Sequence, residues 1–596
     1  MTGSSTRTSP RDRRLRACAW LAMLLAASVA VAKDTIRLEI DGVDRPIADN
    51  IRAYLSLGRY VQRMDLTDPQ VRRLADRAVD EAADAMRPFG YYDPQVRSRT
   101  TRDDDTWIVR MRIKPGEPVH LREVQVDIVG AGRDDGDIRA VVDGNPLRPG
   151  TRLEHSTYEK LKTDLVRTAL EQGYVDAKLT RHELEVDPPQ HAADARLTLD
   201  TGGLYRFGAV TIEQDAIEPD LLRRFVRFKE GEPFSGTQLR STQFALEDSY
   251  YFSSVTVTPG ERDPATLTIP VTIRAERIKR DRYAASVGFG TDTGPRGQFT
   301  WDRRLANDDG HRWRLQTTLS QVLQDATATY IIPVGDPSLE KLEFSAGYVN
   351  QTLGGLESER YELGSGLTQA MGHWQRVLFL QLSEELTKFP ESKDTRATLL
   401  IPGISFATQP PNFLTGWVRE AAYYAELSGS PAALGSDASY LRFYARGERV
   451  WPIAQGPWYL RLRGELGTSW VSDFSQLPGS QRFFAGGDRS VRGFALDSLS
   501  PQDPNAPPGS NNKGVGGQHK LVASVEFERD LPRDLRGAVF FDTGNAFDDW
   551  STPLEYSVGI GLRLKLPMLL IGIDVAQALS EPGLKPRLHL NITQVL

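Results

Sequence analysis

At 596 residues the chain is long enough for several domains, and 40% hydrophobic content with a mean hydropathy of −0.40 reads as soluble in bulk. That bulk value does not exclude a membrane barrel, whose strands show lipid only every second residue. A formal charge of −6 argues against nucleic-acid binding, and Cys18 is the sole cysteine, so an exported chain would be stabilised without disulfides.

The first predicted element is a secretory leader over residues 1–32. Arg7, Arg11, Arg13, Arg14 and Arg16 form a basic start, Ala17 to Val29 an apolar core, and Ala30-Val31-Ala32 a small-x-small cleavage site ending at Ala32. The apolar run is short for a membrane anchor. Leu15-Arg16-Ala17-Cys18 precedes that core instead of following it, which argues against lipidation. Cleavage removes five arginines, one aspartate and Cys18, leaving a cysteine-free chain of formal charge −10. After Ala32 no apolar run approaches a helical span, so any membrane crossing falls to β-strands.

Residues 33–278 read as three repeats of strand, helix, helix, strand, strand, with boundaries at 33–120, 121–205 and 206–278. The second helix of each unit is predicted over Gln70–Val79, Thr157–Leu165 and Thr237–Thr242. These helices lead into Phe89-Gly90-Tyr91-Tyr92, Gly173-Tyr174 and Ser249-Tyr250-Tyr251-Phe252, where glycine relieves a left-handed turn. Closing strands alternate in Met111-Arg112-Ile113, Leu197-Thr198-Leu199 and Val271-Thr272-Ile273. Opening strands do so in Val124-Gln125-Val126-Asp127-Ile128 and Val210-Thr211-Ile212. The units resemble polypeptide-transport-associated (POTRA) domains. They could be inert spacers, or they could bind a client strand along an open sheet edge.

Residues 279–596 change texture: about sixteen alternating strands separated by Gly/Asp/Pro turns. Leu460, Leu462, Gly464 and Leu466 alternate with Arg461, Arg463 and Glu465. Ile560, Leu562, Leu564 and Leu566 alternate with Arg563 and Lys565. A soluble sandwich would turn the charges to solvent; a membrane barrel would turn them to a wet lumen. Trp301, Trp313, Trp374, Trp417, Trp451, Trp458, Trp470 and Trp550 fall in this region, many at strand ends as girdle residues would. The predicted architecture is therefore multidomain: three tandem α+β domains followed by a 16-stranded antiparallel transmembrane β-barrel.

The longest connection, from about Val471 to Gln518, joins predicted strands eleven and twelve. It carries Phe484-Ala485-Gly486-Gly487-Asp488-Arg489-Ser490-Val491-Arg492-Gly493-Phe494. Downstream, Glu526 alternates against Val525 and Phe527, and Asp542 against Phe541, so both carboxylates can face inward. Taken alone, Arg492 reads as a solvated loop arginine among many, or as a guanidinium meeting one or both carboxylates through charge-assisted bidentate hydrogen bonds, with Gly493 permitting close backbone approach. Val491-Arg492-Gly493-Phe494, with Asp542-Thr543-Gly544 downstream, resembles the corresponding loop and strand of the BamA/TamA superfamily of outer-membrane insertases and secretion pores.

That resemblance implies a loop-to-barrel lock formed by Val491, Arg492, Gly493, Phe494, Glu526, Asp542 and Gly544. It also implies a lateral seam between the first strand, at Val287, Gly288, Phe289 and Gly290, and the last, at Leu588, Leu590 and Ile592. The seam glycines weaken strand packing, or else simply accommodate barrel curvature or a neighbouring side chain. Leu588, Leu590 and Ile592 resemble an outer-membrane sorting signal, imperfect because the sequence ends in Leu596. Three repeats before a barrel look most like the TamA branch. This implies insertion or secretion of clients such as autotransporters in the lipid bilayer of the bacterial outer membrane, without nucleotide hydrolysis. It further implies unfolded outer-membrane proteins and a TamB-like periplasm-spanning protein as partners. A BamA-like general assembler, a two-partner secretion pore and a passive diffusion channel with periplasmic binding modules remain as alternatives.

Enzymatic patterns are weak. Gly288-Phe289-Gly290 leads into Thr291-Asp292-Thr293-Gly294, which misses dinucleotide spacing and lies in a predicted strand. The eight histidines have no metal-ligand spacing, and there is no nucleophile elbow or P-loop. No catalytic residue, cofactor or metal is expected.

Overall fold

The computed structural model describes residues 36–60, 66–103, 106–390, 392–408, 421–453, 456–503, 514–532, 534–566 and 569–594. The expected leader, with Ala30 and Ala32, and Trp417 lie outside the described residues. Among the described residues no helix is long and apolar enough to cross a membrane.

Each of the three N-terminal repeats builds a three-stranded sheet in which the closing strand lies in the middle. In the first, Thr106–Lys114 pairs parallel with Ile36–Asp41 and antiparallel with Gln95–Asp103. Its alternation explains the central place: Val109, Met111 and Ile113 are buried against the helices, while Arg110, Arg112 and Lys114 face out. The helix Asp68–Met86 is longer than the sequence predicts. Thr67 and Gln70 form a capping box at its start, and Val71, Ala75, Ala78, Ala82 and Ala85 give it a buried stripe small enough to sit close on the sheet.

The second repeat repeats this order with His120–Val129, Ala192–Asp200 and Lys178–Asp187. The third does so with Arg206–Glu213, Thr268–Arg277 and Phe252–Pro259. Gly90 and Gly173 take left-handed φ values of 87° and 98° after their helices, as the sequence leads one to expect. The third repeat has no glycine there. Tyr250 takes the left-handed turn itself at φ 69°, and Tyr251 beyond it is buried.

By contacts the chain divides into two compact units. Among the described residues, one lies within 36–211, 227–241 and 257–273, and the other within 212–226, 242–256 and 274–594. In the first unit, repeats one and two are joined by a Val119 amide donating to the Gly90 carbonyl at 2.8 Å. A 2.7 Å hydrogen bond between Tyr92 Oη and His155 Nε2 adds to this junction. In the second unit, Glu218 N donates to Asp308 O at 2.9 Å and Tyr251 Oη to Gly310 O at 2.7 Å, fixing these segments against the turn between the second and third barrel strands.

The second unit contains a closed barrel of sixteen antiparallel strands, from Asp281–Gly290 to Arg587–Gln594. Leu462, Leu466, Ile560 and Leu562 are exposed on the outer wall, while Arg461, Arg463, Glu465 and Arg563 on the same strands turn inward. Closure removes every sheet edge and excludes the sandwich arrangement. Trp313, Trp374 and Trp458 stand within two residues of a strand start, and Trp451 and Trp470 near strand ends.

Candidate functional site

The connection between the eleventh strand, Trp458–Val471, and the twelfth, His519–Leu531, folds back inside the barrel. Gly486 and Gly487 make the return, at φ 100° and 93°. A Cβ on Gly486 would lie 2.3 Å from the Ala495 carbonyl, so only glycine fits. Gly487 N donates to Phe494 O, and Phe494 N to Val491 O, closing a tight turn that projects Arg492. Val491 and Phe494 are buried in an apolar cluster with Phe483, Ala485, Leu499, Val522, Ala546 and Ala578, which seats the turn on the barrel wall.

Arg492 is 2% exposed and meets both carboxylates that alternation turns inward. Its Nε and Nη2 donate to Asp542 at 2.8 and 2.9 Å, its Nη1 to Glu526 at 3.0 Å, and its backbone amide to Asp542 at 3.1 Å. Asp542 and Glu526 are 0% and 5% exposed. The guanidinium lies over Phe540, with Cζ 3.2 Å from the ring centroid. Gly493 N donates to Ser557 Oγ at 3.1 Å, and a Cβ there would sit 2.6 Å from Ser557 Cβ. A Cβ on Gly544 would sit 2.6 Å from the Leu521 carbonyl. Both glycines thus mark close approach.

The sequence reading missed the rest of the network. Ser524 Oγ donates to Asp542 at 2.6 Å. Arg563 grips Asp574 through two hydrogen bonds of 2.6 and 2.9 Å, and reaches Glu526 at 3.5 Å. Asp574 lies 3.6 Å from Arg492, and Arg463 donates to the Ser490 carbonyl at 3.2 Å. Arg492 and Arg563 therefore pair with the three carboxylates, while Arg463 ties the wall to the loop through a carbonyl. Phe540 fits because Gly559 stands opposite it. A Cβ there would meet the ring at 2.2 Å.

Two further anchors hold the loop. Glu385, on the strand Trp374–Lys388, is 1% exposed and accepts from Ser480 N at 3.1 Å and from Ser480 Oγ. Among the described residues Arg482 makes no ion pair with a carboxylate. It donates to the carbonyls of Leu477, Val515 and Phe474 and is stacked between Phe389 and Phe474, and burial pulls its guanidinium down to about 10.

Among the described residues, the first and last strands share two residue pairs at the seam, Phe289↔Ile592 and Gly290↔Asn591. The first two strands share ten pairs and the last two share eight. Val287 and Leu588 are 76% and 58% exposed on the outer wall. A Cβ on Gly288 would lie 2.7 Å from Arg296 Nε and 3.0 Å from the Ile592 carbonyl, and one on Gly290 2.9 Å from Thr293 Oγ1. These glycines make room for Arg296 on the second strand, for Thr293 on the first turn and, across the closure, for the Ile592 carbonyl. Loop residues bridge the same place: Asp488 N donates to Asp292 on the first turn at 2.8 Å, and Asn591 on the last strand donates to Asp488. Among the described residues, no group of three or more His, Cys, Asp or Glu is placed to hold a metal.

Residues 420–593 match the Omp85 superfamily domain, residues 37–115 the first POTRA domain of TamA, and residues 205–276 the POTRA family described as the surface antigen variable number repeat. The chain is 20% identical over 566 residues to the outer membrane protein assembly factor BamA of Nitratidesulfovibrio vulgaris, covering 89% of this chain and 69% of that one. It is 20% identical over 540 residues to the protein of the same name from Neorickettsia risticii, covering 84% and 69%. Among solved structures, BamA from Haemophilus ducreyi lacking POTRA domains 1–3 superposes with a TM-score of 0.63 at 15% identity, over 80% of this chain and 99% of that one, a likeness of fold.

Proposed function

From a sixteen-stranded barrel that bears an Omp85 superfamily domain behind POTRA domains, we propose a protein that assembles or secretes other outer-membrane proteins. It is itself an outer-membrane protein with its N-terminal POTRA domains in the periplasm. The observation that carries the proposal is the seam. A barrel closed by two residue pairs can part there at low cost and offer two strand edges to a client, whose own backbone groups then supply the missing hydrogen bonds. The loop locked through Arg492 to Asp542 and Glu526 keeps the remaining wall in register while the seam works.

The finer assignment is to the TamA branch, with autotransporter-type clients and a TamB-like partner engaged through the first repeat. The match of residues 37–115 to the first TamA POTRA domain supports it, as do three repeats of one topology. A general assembler of the BamA type is the second reading, favoured by the two relatives of that name. Depletion followed by a survey of the outer membrane separates them: loss of a subset of barrels fits the first, and loss of nearly all fits the second. An unchanged survey would defeat both. A steady, wide, ion-selective conductance in planar bilayers would favour a diffusion channel instead.

A further inference from the structure

We propose that the periplasmic end of the first barrel strands binds the phosphate headgroup of an anionic phospholipid in the inner leaflet. Strand register places Asp281, Arg303, Trp313 and Tyr330 side by side across four strands, with Tyr283, Trp301, Leu315 and Ala328 in the next row. Tyr283 and Trp313 are 67% and 45% exposed, so these rows lie on the outer wall, and the rings of Trp313 and Tyr330 pack 4.6 Å apart. An aromatic row on the outer wall of a barrel marks the headgroup level. Arg303 stands in that row.

Three more cations flank it. Lys279 and Arg280 are exposed just before the first strand, and Arg304 follows the second. Arg304 N donates to Arg280 O at 2.7 Å, so the two arginines meet at the ends of neighbouring strands. Among the described residues no carboxylate pairs with Lys279, Arg280, Arg303 or Arg304. Asp281 instead accepts Trp301 Nε1 at 2.9 Å, and Asp302 accepts Arg314 Nε at 2.7 Å.

The Arg280 and Arg304 backbones meet at neighbouring strand ends, where like charges repel, and an arginine on a lipid-facing wall is costly unless its head reaches the interface. A phosphodiester resolves both, since its oxygens match the guanidinium fork. The row faces the bilayer and not the lumen, which selects a lipid over an acidic polypeptide passing inside. The excess is local: the chain carries −6 overall, and the next turn on this side, residues 334–339, contains Asp336 and no basic residue.

The test uses the full-length protein, delipidated and titrated with phosphatidylglycerol or phosphatidylcholine by native mass spectrometry. Phosphatidylglycerol should bind preferentially, and Arg303→Gln with Arg304→Gln should weaken it about thirtyfold. Arg97→Gln with Arg99→Gln, the same charge change on the first repeat, should leave it unaltered. If the barrel variant does not fold, Lys279→Gln with Arg280→Gln, outside any strand, carries the same expectation. Wild-type affinity in the folded barrel variants would overturn the site, as would an equal loss in the first-repeat control. Displacement of the lipid by inorganic phosphate would also overturn it, by showing a site for free anions.

Discussion

His589, on the last barrel strand, donates from Nε2 to the backbone carbonyl of Arg492 at 2.7 Å. The loop residue that grips the wall through Asp542 thus also holds the strand that closes the barrel. The other ring nitrogen, Nδ1, lies 3.4 Å from Asp292, which sits on the turn after the first strand. One imidazole therefore touches the loop and both sides of the seam.

His589→Ala should loosen this junction without dissolving the barrel. It leaves a buried carbonyl unpaired, a loss of about 1–3 kcal/mol. The temperature at which the folded band is lost on semi-native gels should fall, while the Arg492 network stays intact. A variant that melts like the wild type would remove His589 from the account.

Arg492→Ala should impair folding or client assembly far more than Arg489→Ala. Arg489 is exposed, whereas Arg492 is buried between two carboxylates. Its removal leaves Asp542 only the Ser524 hydroxyl and Glu526 only the more distant Arg563, at a cost of about 3–5 kcal/mol if fully dry and less in a wet lumen. Heat-modifiable mobility and an outer-membrane protein assembly assay give the comparison, and equal behaviour of the two variants would refute the lock.

A disulfide between cysteines at 289 and 592 should form, because Phe289 and Ile592 are register partners. Cys18 is the sole natural cysteine in the sequence, so a Cys18→Ser background keeps the readout clean. If the seam must open, oxidation should stop client assembly and reduction should restore it. Full activity in a quantitatively crosslinked barrel would shift the mechanism to bilayer disturbance or lumenal passage.

Acid should weaken the junction of the first two repeats. Burial depresses the His155 imidazole below its ordinary 6.5, against a smaller opposing effect of Glu159. The folded junction therefore binds fewer protons than the open one. Its contribution is intact above pH 6.5 and is lost as pH falls through the depressed value. Hydrogen exchange at the Val119 amide, compared at each pH with His155→Gln, should show protection falling with acid in the wild type only. Parallel profiles would rule His155 out.

The strands and their facing were legible because alternation fixes which side of a wall a residue takes. That is why Glu526 and Asp542 could be turned inward together, whereas Arg492, in a loop without periodicity, was singled out by the family resemblance of Val491-Arg492-Gly493-Phe494. Arg563 and Asp574 were visible as charges in alternating strands, but which charges meet depends on the register between strands and on barrel curvature, neither of which is written locally. Arg482 was harder still. Its partners are three backbone carbonyls and two rings, so no complementary charge in the sequence points to it. Tyr250 shows the reverse case, a left-handed turn made without the glycine that would have announced it.

The narrow closure also bears on the order in which the molecule is made. Arg492 and Asp542 are 50 residues apart along the chain, whereas Thr291 and Leu590, which meet beside the seam, are 299 apart. Bringing the first pair together costs about 3.5 kcal/mol of chain entropy and the second about 5 kcal/mol. The nearer contact is rewarded at once by a buried ion-pair network, and the farther one by little backbone pairing. The C-terminal hairpins would therefore seat the loop early, and the nascent wall would persist as a curved open sheet until its two margins join last.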